Sequence, residues 1–370
     1  MLIAVLAGCG WDGRNASASA TPPGAASKPA PVAPSGTSWE TTLAAAKQEG
    51  KVVVAGPPGD LYRRALMEFQ KQYPQISVEY SGLSGRDFSP KVLPERQAGQ
   101  YLWDIHVGGP ETPNFNLKPQ SVLDPIKPAL MLPEVLEESK WLGGFDDGFM
   151  DRERRFTYGF QGDLSQHVYV NRESVPESQL SSVEQLIDAA WKGKISWNDP
   201  MAPGSGSGVA GYWLMLKGED WLRTLYQQNV TVTADLRQQI QWLVQNRYPI
   251  AIGGDSSSLL DYQRQGVGKQ VVTLAPDSQL GSRLSPGFGS VMLINRAPHP
   301  NAAKAYLNWL LSRDGQTAWT SLSQRNSRRL DVQGPPETAP KAGATYIVVN
   351  KEENQPNIQK AIDIAKTMLK

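Results

Sequence analysis

A strand, a helix and a second strand can be read in residues 51–80, KVVVAGPPGDLYRRALMEFQKQYPQISVEY. The segment 51–54, a lysine followed by three valines, is typical of a buried strand, and the glycine- and proline-rich turn 56–60 follows it. Apolar residues then recur at helical spacing over 61–69, and they alternate over 76–80 as in a strand. This order predicts a right-handed crossover between parallel strands, in a sheet that helices cover on both faces.

The same alternation continues along the chain. Apolar segments of strand length lie at 105–107, 168–170, 195–197, 230–232, 250–252 and 291–294, and helical patterns cover 39–48 and 235–246 and begin again near Pro300 and Pro356. No internal repeat of fixed period is found. Because 370 residues are enough for two ordinary domains, we expect two α/β lobes.

The composition excludes several classes of function. The chain has 37 Lys and Arg against 36 Asp and Glu, so its formal net charge of +1 argues against nucleic acid as a partner. No apolar run is long enough for a membrane-spanning helix. One cysteine and three scattered histidines exclude an internal disulfide and a multi-thiolate zinc site. We therefore expect no metal site and no cofactor.

The N-terminal sequence Leu6-Ala7-Gly8-Cys9 follows a short apolar run and precedes a stretch rich in Ala, Ser, Pro and Gly. This order resembles a bacterial lipoprotein signal, in which the cysteine thiol takes the lipid. We expect residues 1–38 to be a signal remnant and flexible tether, with the protein anchored through Cys9 on the periplasmic side of the membrane. A frayed N-terminus with a chance cysteine is the alternative. Because no basic residue precedes the apolar run, we also expect the true start to lie upstream of Met1.

Four segments occur in a characteristic order: EGKVVV at 49–54, FQKQYPQI at 69–76, WKGKI at 191–195 and NAAKAYLNWLLSRDGQ at 301–316. Together they resemble the extracellular solute-binding proteins of ABC importers, and most closely the ferric-ion-binding branch. The resemblance runs from about Trp39 to about Val332.

The resemblance implies a type 2 periplasmic-binding fold with two discontinuous α/β lobes joined by hinge strands. Lobe one is expected at 39–109 plus 290–330, and lobe two at 110–289 plus 331–370. A small-molecule solute would bind between the lobes, close them and then be delivered to the membrane subunits of an ABC permease.

Loops at the carboxyl ends of parallel strands line the ligand crevice in such sheets. The residues predicted to bind ligand lie in these loops and are Ser84, Arg86, Gly109, Asp199, Ser205, Gly206, Ser207, Gly208, Asp255, Ser256 and Ser257. A planar guanidinium such as that of Arg86 matches carboxylate or phosphate oxygens, but a surface arginine paired with Asp87 or Glu95 is an alternative.

The glycine-rich loop 204–211 contains a formal GxGxxG pattern, which is also found in dinucleotide sites. No acidic residue ends a strand about twenty positions later, as such a site requires. Glycines, two serines and a helix N-terminus instead fit an anion in the cleft, or else a turn with solvated serines.

In the ferric-binding relatives, an adjacent tyrosine pair follows the strand equivalent to 250–252. Here the matching residues are Asp255, Ser256 and Ser257, and serine hydroxyls are poor ligands for a hard trivalent cation. A polar or oxyanionic organic solute therefore fits this loop better, with Fe(III) held by non-tyrosine ligands as the alternative.

No nucleophile elbow, zinc-protease motif or Walker lysine is present, so we expect a binding protein, with an enzyme on the same two-lobed scaffold as the contrasting hypothesis. The short basic run 327–331 is expected at a solvated or salt-bridged surface, with docking to the permease as the alternative.

Overall fold

The computed structural model describes residues 38–164, 168–274, 283–343 and 346–369. Cys9, nearly all of the expected tether and His167 therefore lie outside the described residues, as do the side chains of Ser256 and Ser257. None of the helices within these ranges is both long and apolar enough to cross a membrane.

The strands are β1 (Lys51–Gly56), β2 (Ser77–Gly82), β3 (Ile105–Gly108), β4 (Leu123–Asp124), β5 (Tyr158–Gly159), β6 (Asp163–Leu164), β7 (Val168–Asn171), β8 (Ile195–Asn198), β9 (Thr231–Thr233), β10 (Ile250–Ile252), β11 (Val271–Thr273), β12 (Leu284–Ser285) and β13 (Ser290–Ile294). The α-helices are α1 (Trp39–Glu49), α2 (Asp60–Met67), α3 (Phe69–Gln72), α4 (Gly85–Gln97), α5 (Ser205–Tyr226), α6 (Leu236–Val244), α7 (Ser256–Arg264), α8 (Pro300–Leu311), α9 (Arg313–Ser323) and α10 (Gln355–Met368).

The first sheet has the order β2-β1-β3-β13-β4, and β5 also pairs with β13. β1 runs parallel to both β2 and β3, as the strand–helix–strand pattern predicted, whereas β13 returns antiparallel to β3. Apolar side chains of β1 and β3 pack beneath α2 and α8 in one buried core. This sheet and its helices form lobe one.

The second sheet has the order β11-β7-β10-β8-β9. β8, β9 and β10 run parallel, β7 pairs antiparallel with β10, and the edge strand β11 pairs antiparallel with β7. Its core includes three residues of α10, Ala361, Ile364 and Ala365, so the C-terminal helix packs on lobe two. The expected two-lobed α/β architecture is confirmed.

The path between the lobes differs from the prediction. β4 and β5 hydrogen-bond to β13, and Trp141, Phe145 and Phe149 belong to the core of lobe one. The assignment of residues 110–159 to lobe two therefore needs correction. The chain crosses between β5 and β7 and returns between β11 and β13, and the antiparallel pair β6–β12 lies in these two crossings. Strands of two residues carry too little alternation for the sequence to reveal them.

A second difference from the prediction lies after β2. The sequence pattern predicted a loop rich in hydrogen-bond donors there, whereas the structure has the helix α4. The helix begins at Gly85 after Ser84 and contains Pro90 and Pro94. Proline usually ends helices, since it lacks the N–H donor and clashes with the preceding turn. The first turn of α4 nevertheless lies at the carboxyl end of β2, where it faces lobe two.

Candidate functional site

A cavity of about 170 Å³ lies between the two lobes. Lobe one contributes residues of α2, of the first turn of α4, and of the segments after β3 and α9. Lobe two contributes the starts of α5 and α6 and the loop after β10. The cavity-lining residues with charged or amide side chains are Arg86, Glu111, Gln161, Asp163, Asn198, Asp255, Arg283, Arg325 and Asn350.

The first turn of α4 forms one wall. Ser84 precedes the helix, and its hydroxyl donates to Asp87 at 2.6 Å. Arg86 extends across the cavity, where Nε donates to the carbonyl oxygen of Pro203 at 2.6 Å and Nη2 to that of Ala202 at 3.3 Å. Arg86 therefore contacts the backbone of lobe two, rather than the acidic side chains considered from the sequence.

The start of α5 forms the opposite wall, and its glycines serve close packing. A Cβ at Gly206 would lie 1.6 Å from the carbonyl oxygen of Asn198, so only glycine fits where α5 meets the end of β8. Ser205 Oγ lies 2.9 Å from Asn198 Oδ1 and 2.7 Å from the carbonyl oxygen of Gly253. Ser207 is fully buried and caps the N–H of Gly204 at 3.0 Å. The loop thus joins two strand ends to one helix N-terminus.

A buried cluster of Arg283, Glu111 and Asn350 closes one side of the cavity. Arg283 is 2% exposed, and its Nε and Nη1 have no hydrogen-bond partner among the described residues. Burial lowers the pKa of Arg283 to about 10, an effect that the Glu111 charge opposes. Burial raises the pKa of Glu111, which accepts a hydrogen bond from the Asn350 amide. This cluster holds a desolvated cation with free donors on a cavity wall.

A second cluster joins Arg325, Asp163 and Asp255. Burial raises the pKa of Asp163, although Arg325 and hydrogen bonds from Gln161 and Asn326 oppose that shift. Arg325 Nη2 lies 3.9 Å from Asp255 Oδ1, so a long ion pair spans the cleft from lobe one to lobe two. Burial alone would lower the pKa of Arg325, but the neighbouring Tyr62, Asp163 and Asp255 raise it overall. Arg325 Nε has no partner among the described residues.

The structure brings five of the predicted ligand-binding residues to the cavity wall: Ser84, Arg86, Gly109, Ser205 and Asp255. The remaining predicted residues whose side chains are described do not border it. Asp199 accepts from the N–H of Met201 at 2.8 Å, and Gly206, Ser207 and Gly208 lie buried behind the wall.

The sequence reasoning missed the strongest charges of the site. Glu111 lies two residues beyond Gly109, so extending the strand-end loop would have included it. Asp163 and Arg283 lie in or beside strands of only two residues, and Arg325 follows the helix α9 rather than a strand, so the strand-end rule did not include them.

The basic run at 327–331 is salt-bridged, as one of the two predictions had it, but its arginines are buried rather than at the surface. Arg328 and Arg329 are 1% and 2% exposed, and they pair with Asp147 and with Asp331 and Glu134. Their charges are neutralised inside the protein.

No group of three or more His, Cys, Asp or Glu side chains suited to a metal ion occurs among the described residues. The cavity wall combines arginines, single carboxylates, hydroxyls and the first turns of α4 and α5, where the N-cap residues Ser84 and Gly204 make no side-chain capping hydrogen bond. Such a set can hydrogen-bond an oxyanion and, at the same time, accept from hydroxyl or amine groups.

Comparisons with known proteins agree with this architecture. The iron-bound HitA of Pseudomonas aeruginosa has 14% identity and a TM-score of 0.64, covering 85% of this chain and 99% of that one. The periplasmic binding protein AfuA of Actinobacillus pleuropneumoniae, solved with fructose-6-phosphate, has 17% identity and a TM-score of 0.64, covering 86% and 98%. A Trichodesmium protein (IdiA, FutA) in complex with iron and citrate has 16% identity and a TM-score of 0.65, covering 86% and 99%.

At these identities the structural likeness shows the fold. No curated protein sequence matches the chain. The family model described as bacterial extracellular solute-binding protein matches residues 64–345, most of the chain. With the two-lobed fold and the cavity between its lobes, this match confirms the resemblance seen in the sequence: the chain belongs to the bacterial extracellular solute-binding protein family.

Proposed function

We propose that this protein captures a small anionic, polar solute between its lobes and delivers it to the membrane subunits of an ABC permease. The observation that carries the proposal is Arg283, a buried guanidinium on the cavity wall with two unpartnered nitrogens. A buried donor without a partner costs free energy, and a bound oxyanion would remove that cost.

The other charges narrow the kind of solute. Arg86, Arg283 and Arg325 face Glu111, Asp163 and Asp255, so the formal charges of the wall cancel. A solute bound here should carry an oxyanion for Arg283 and Arg325 together with hydroxyl or amine groups for the carboxylates. Closure would follow because such a solute contacts both lobes only when they meet.

We propose lobe one at 39–160 plus 290–330, and lobe two as the remaining described residues.

A binding role, rather than catalysis, is the form of function that the family supports. Among the titratable groups on the cavity wall, Glu111 and Asp163 have raised pKa values, but each is held by amide or arginine neighbours. We therefore propose that the solute leaves chemically unchanged.

Export and anchoring remain part of the proposal. The Leu-Ala-Gly-Cys box supports lipidation at Cys9, and with it a position on the periplasmic side of the membrane.

The test is a thermal-shift screen of the purified full chain against sugars, sugar phosphates, phosphonates, polyamines, carboxylates and Fe(III). Calorimetry of each hit follows, because a ligand bound to the folded state raises the unfolding midpoint. We expect stabilisation by oxyanions that carry hydroxyl or amine groups. Stabilisation by Fe(III) alone, or by uncharged sugars alone, would contradict an anion site. Conversion of the ligand during hours of incubation would contradict the binding role.

A further inference from the structure

Arg86 ties the two lobes together through backbone groups. Its α4 belongs to lobe one, whereas Ala202 and Pro203 lie in lobe two, 116 and 117 residues further along the chain. Both hydrogen bonds use carbonyl oxygens, and both come from the same guanidinium. Hydrogen bonds from a charged donor are stronger than neutral ones, and two from one planar group fix its orientation.

Gly204 follows these two carbonyl groups, and its lack of a side chain leaves room for the Arg86 guanidinium. Gly204 has φ 154°, and a Cβ on it would lie 2.4 Å from Arg86 Nη2. Its N–H is held by Ser207 Oγ at 3.0 Å, which fixes the loop ahead of α5. Lobe two thus presents two carbonyls and an open space at the place where the guanidinium arrives.

Two other contacts between cavity-lining residues join the lobes, and both use side chains; one is the hydrogen bond that the Asn350 amide donates to Glu111. Arg325 meets Asp255 at 3.9 Å through side chains that line the cavity. An anionic solute can compete with Asp255 for that arginine. The Arg86 contact is closer, and its acceptors are main-chain carbonyl oxygens, which cannot rotate away as a carboxylate side chain can.

We propose that Arg86 is a positioning residue that latches the lobes in the closed arrangement, while Arg283 and Arg325 recognise the oxyanion. The latch sets the fraction of molecules that are closed and thereby scales the apparent affinity for every solute by the same factor. The latch acts on closure itself and does not depend on which solute the cleft takes.

The test measures the distance between the lobes without added solute. Two spin labels are placed at Arg63→Cys and Arg237→Cys in the full chain carrying Cys9→Ser, which leaves no other thiol. Both positions are exposed and neighbour the cleft-lining Tyr62 and Leu236, on opposite sides. In this background, Arg86→Ala should lower the ratio of closed to open molecules about tenfold, from the loss of one or two charged hydrogen bonds. Its unfolding midpoint should change little, because each lobe keeps its own core.

Two further variants test whether the opening results from the loss of the Arg86 contact with lobe two. Arg86→Lys can still donate to a carbonyl and should retain part of the closed population. Gly204→Ala should open the lobes as Arg86→Ala does, and the double variant should open them no further. An unchanged distance distribution in Arg86→Ala would overturn the latch, and so would opening by Gly204→Ala that adds to the effect of Arg86→Ala.

Discussion

Replacing Arg283 with methionine should separate solute binding from folding. The side chain is almost completely buried, and its Nε and Nη1 have no partner among the described residues. Each charge-assisted hydrogen bond to a solute oxyanion contributes about 1.5–3 kcal/mol. Losing two of them should cost about 3 kcal/mol at least, which corresponds to about 100-fold in Kd.

The same change should leave the unbound protein almost as stable as before. Methionine fills much of the volume of arginine, and replacing a buried charge with an apolar side chain is often neutral or stabilising. Glu111 loses a positive neighbour, but its raised pKa lets it take up a proton more readily. We therefore expect an unfolding midpoint near that of the wild type, with the solute-induced rise in the midpoint abolished.

Arg328 offers a matched control. It is as buried as Arg283 and also has unpartnered Nε and Nη1 among the described residues, but its Nη2 donates to Leu142 at 2.6 Å and to Asp147 at 2.7 Å. It does not line the cavity. Arg328→Met should therefore lower stability by about 1–3 kcal/mol, because the buried carbonyl of Leu142 loses this donor, and should leave Kd unchanged. Calorimetry with the screened solute and chemical denaturation provide the two quantities. Wild-type affinity in Arg283→Met, or a loss of affinity in both variants, would refute the assignment.

Three further predictions concern acid stability, packing and anchoring. Burial lowers the pKa of His106 from 6.5 to about 4, so the free energy of unfolding should fall by about 3 kcal/mol as the pH drops from 6.5 to 4. Denaturation at several pH values should show that His106→Asn lacks this loss. The same dependence of stability on pH in His106→Asn and the wild type would contradict the prediction. Gly206→Ala should destabilise by about 3 kcal/mol, because its Cβ would overlap the carbonyl of Asn198, whereas Gly82→Ala, whose Cβ would meet nothing closer than 3.5 Å, should cost little in the same melts. Cys9→Ser should move the protein from the membrane fraction to the soluble one, and an unchanged fractionation would count against lipidation.

The regular parts of the fold could be predicted because local pattern and tertiary position agree there. β1 and α8 show their buried apolar residues in the sequence, and α1 shows its end by the left-handed cap residue Gly50. α4 could not be predicted, since Pro90 and Pro94 contradict a helix locally. Its helical conformation depends on packing that the segment itself does not encode. The two-residue strands β4 and β5 likewise exist only because β13 is beside them.

The candidate site also has a part that the sequence could predict and a part that it could not. Loops at strand ends were predictable because chain topology places them at one edge, and five predicted residues do line the cavity. Glu111 could also have been found by extending the strand-end loop, but Asn350 and Arg283, which complete its cluster, follow no such rule: Asn350 lies 239 residues from Glu111, and Arg283 lies in a third segment. A buried charge gains its function from partners brought together by the completed fold, so its neighbours in sequence carry no trace of it. The loops that form the cavity and the charges that select its occupant are therefore separable, and substitutions at Arg283 or Arg325 should alter solute choice while leaving the two-lobed fold intact.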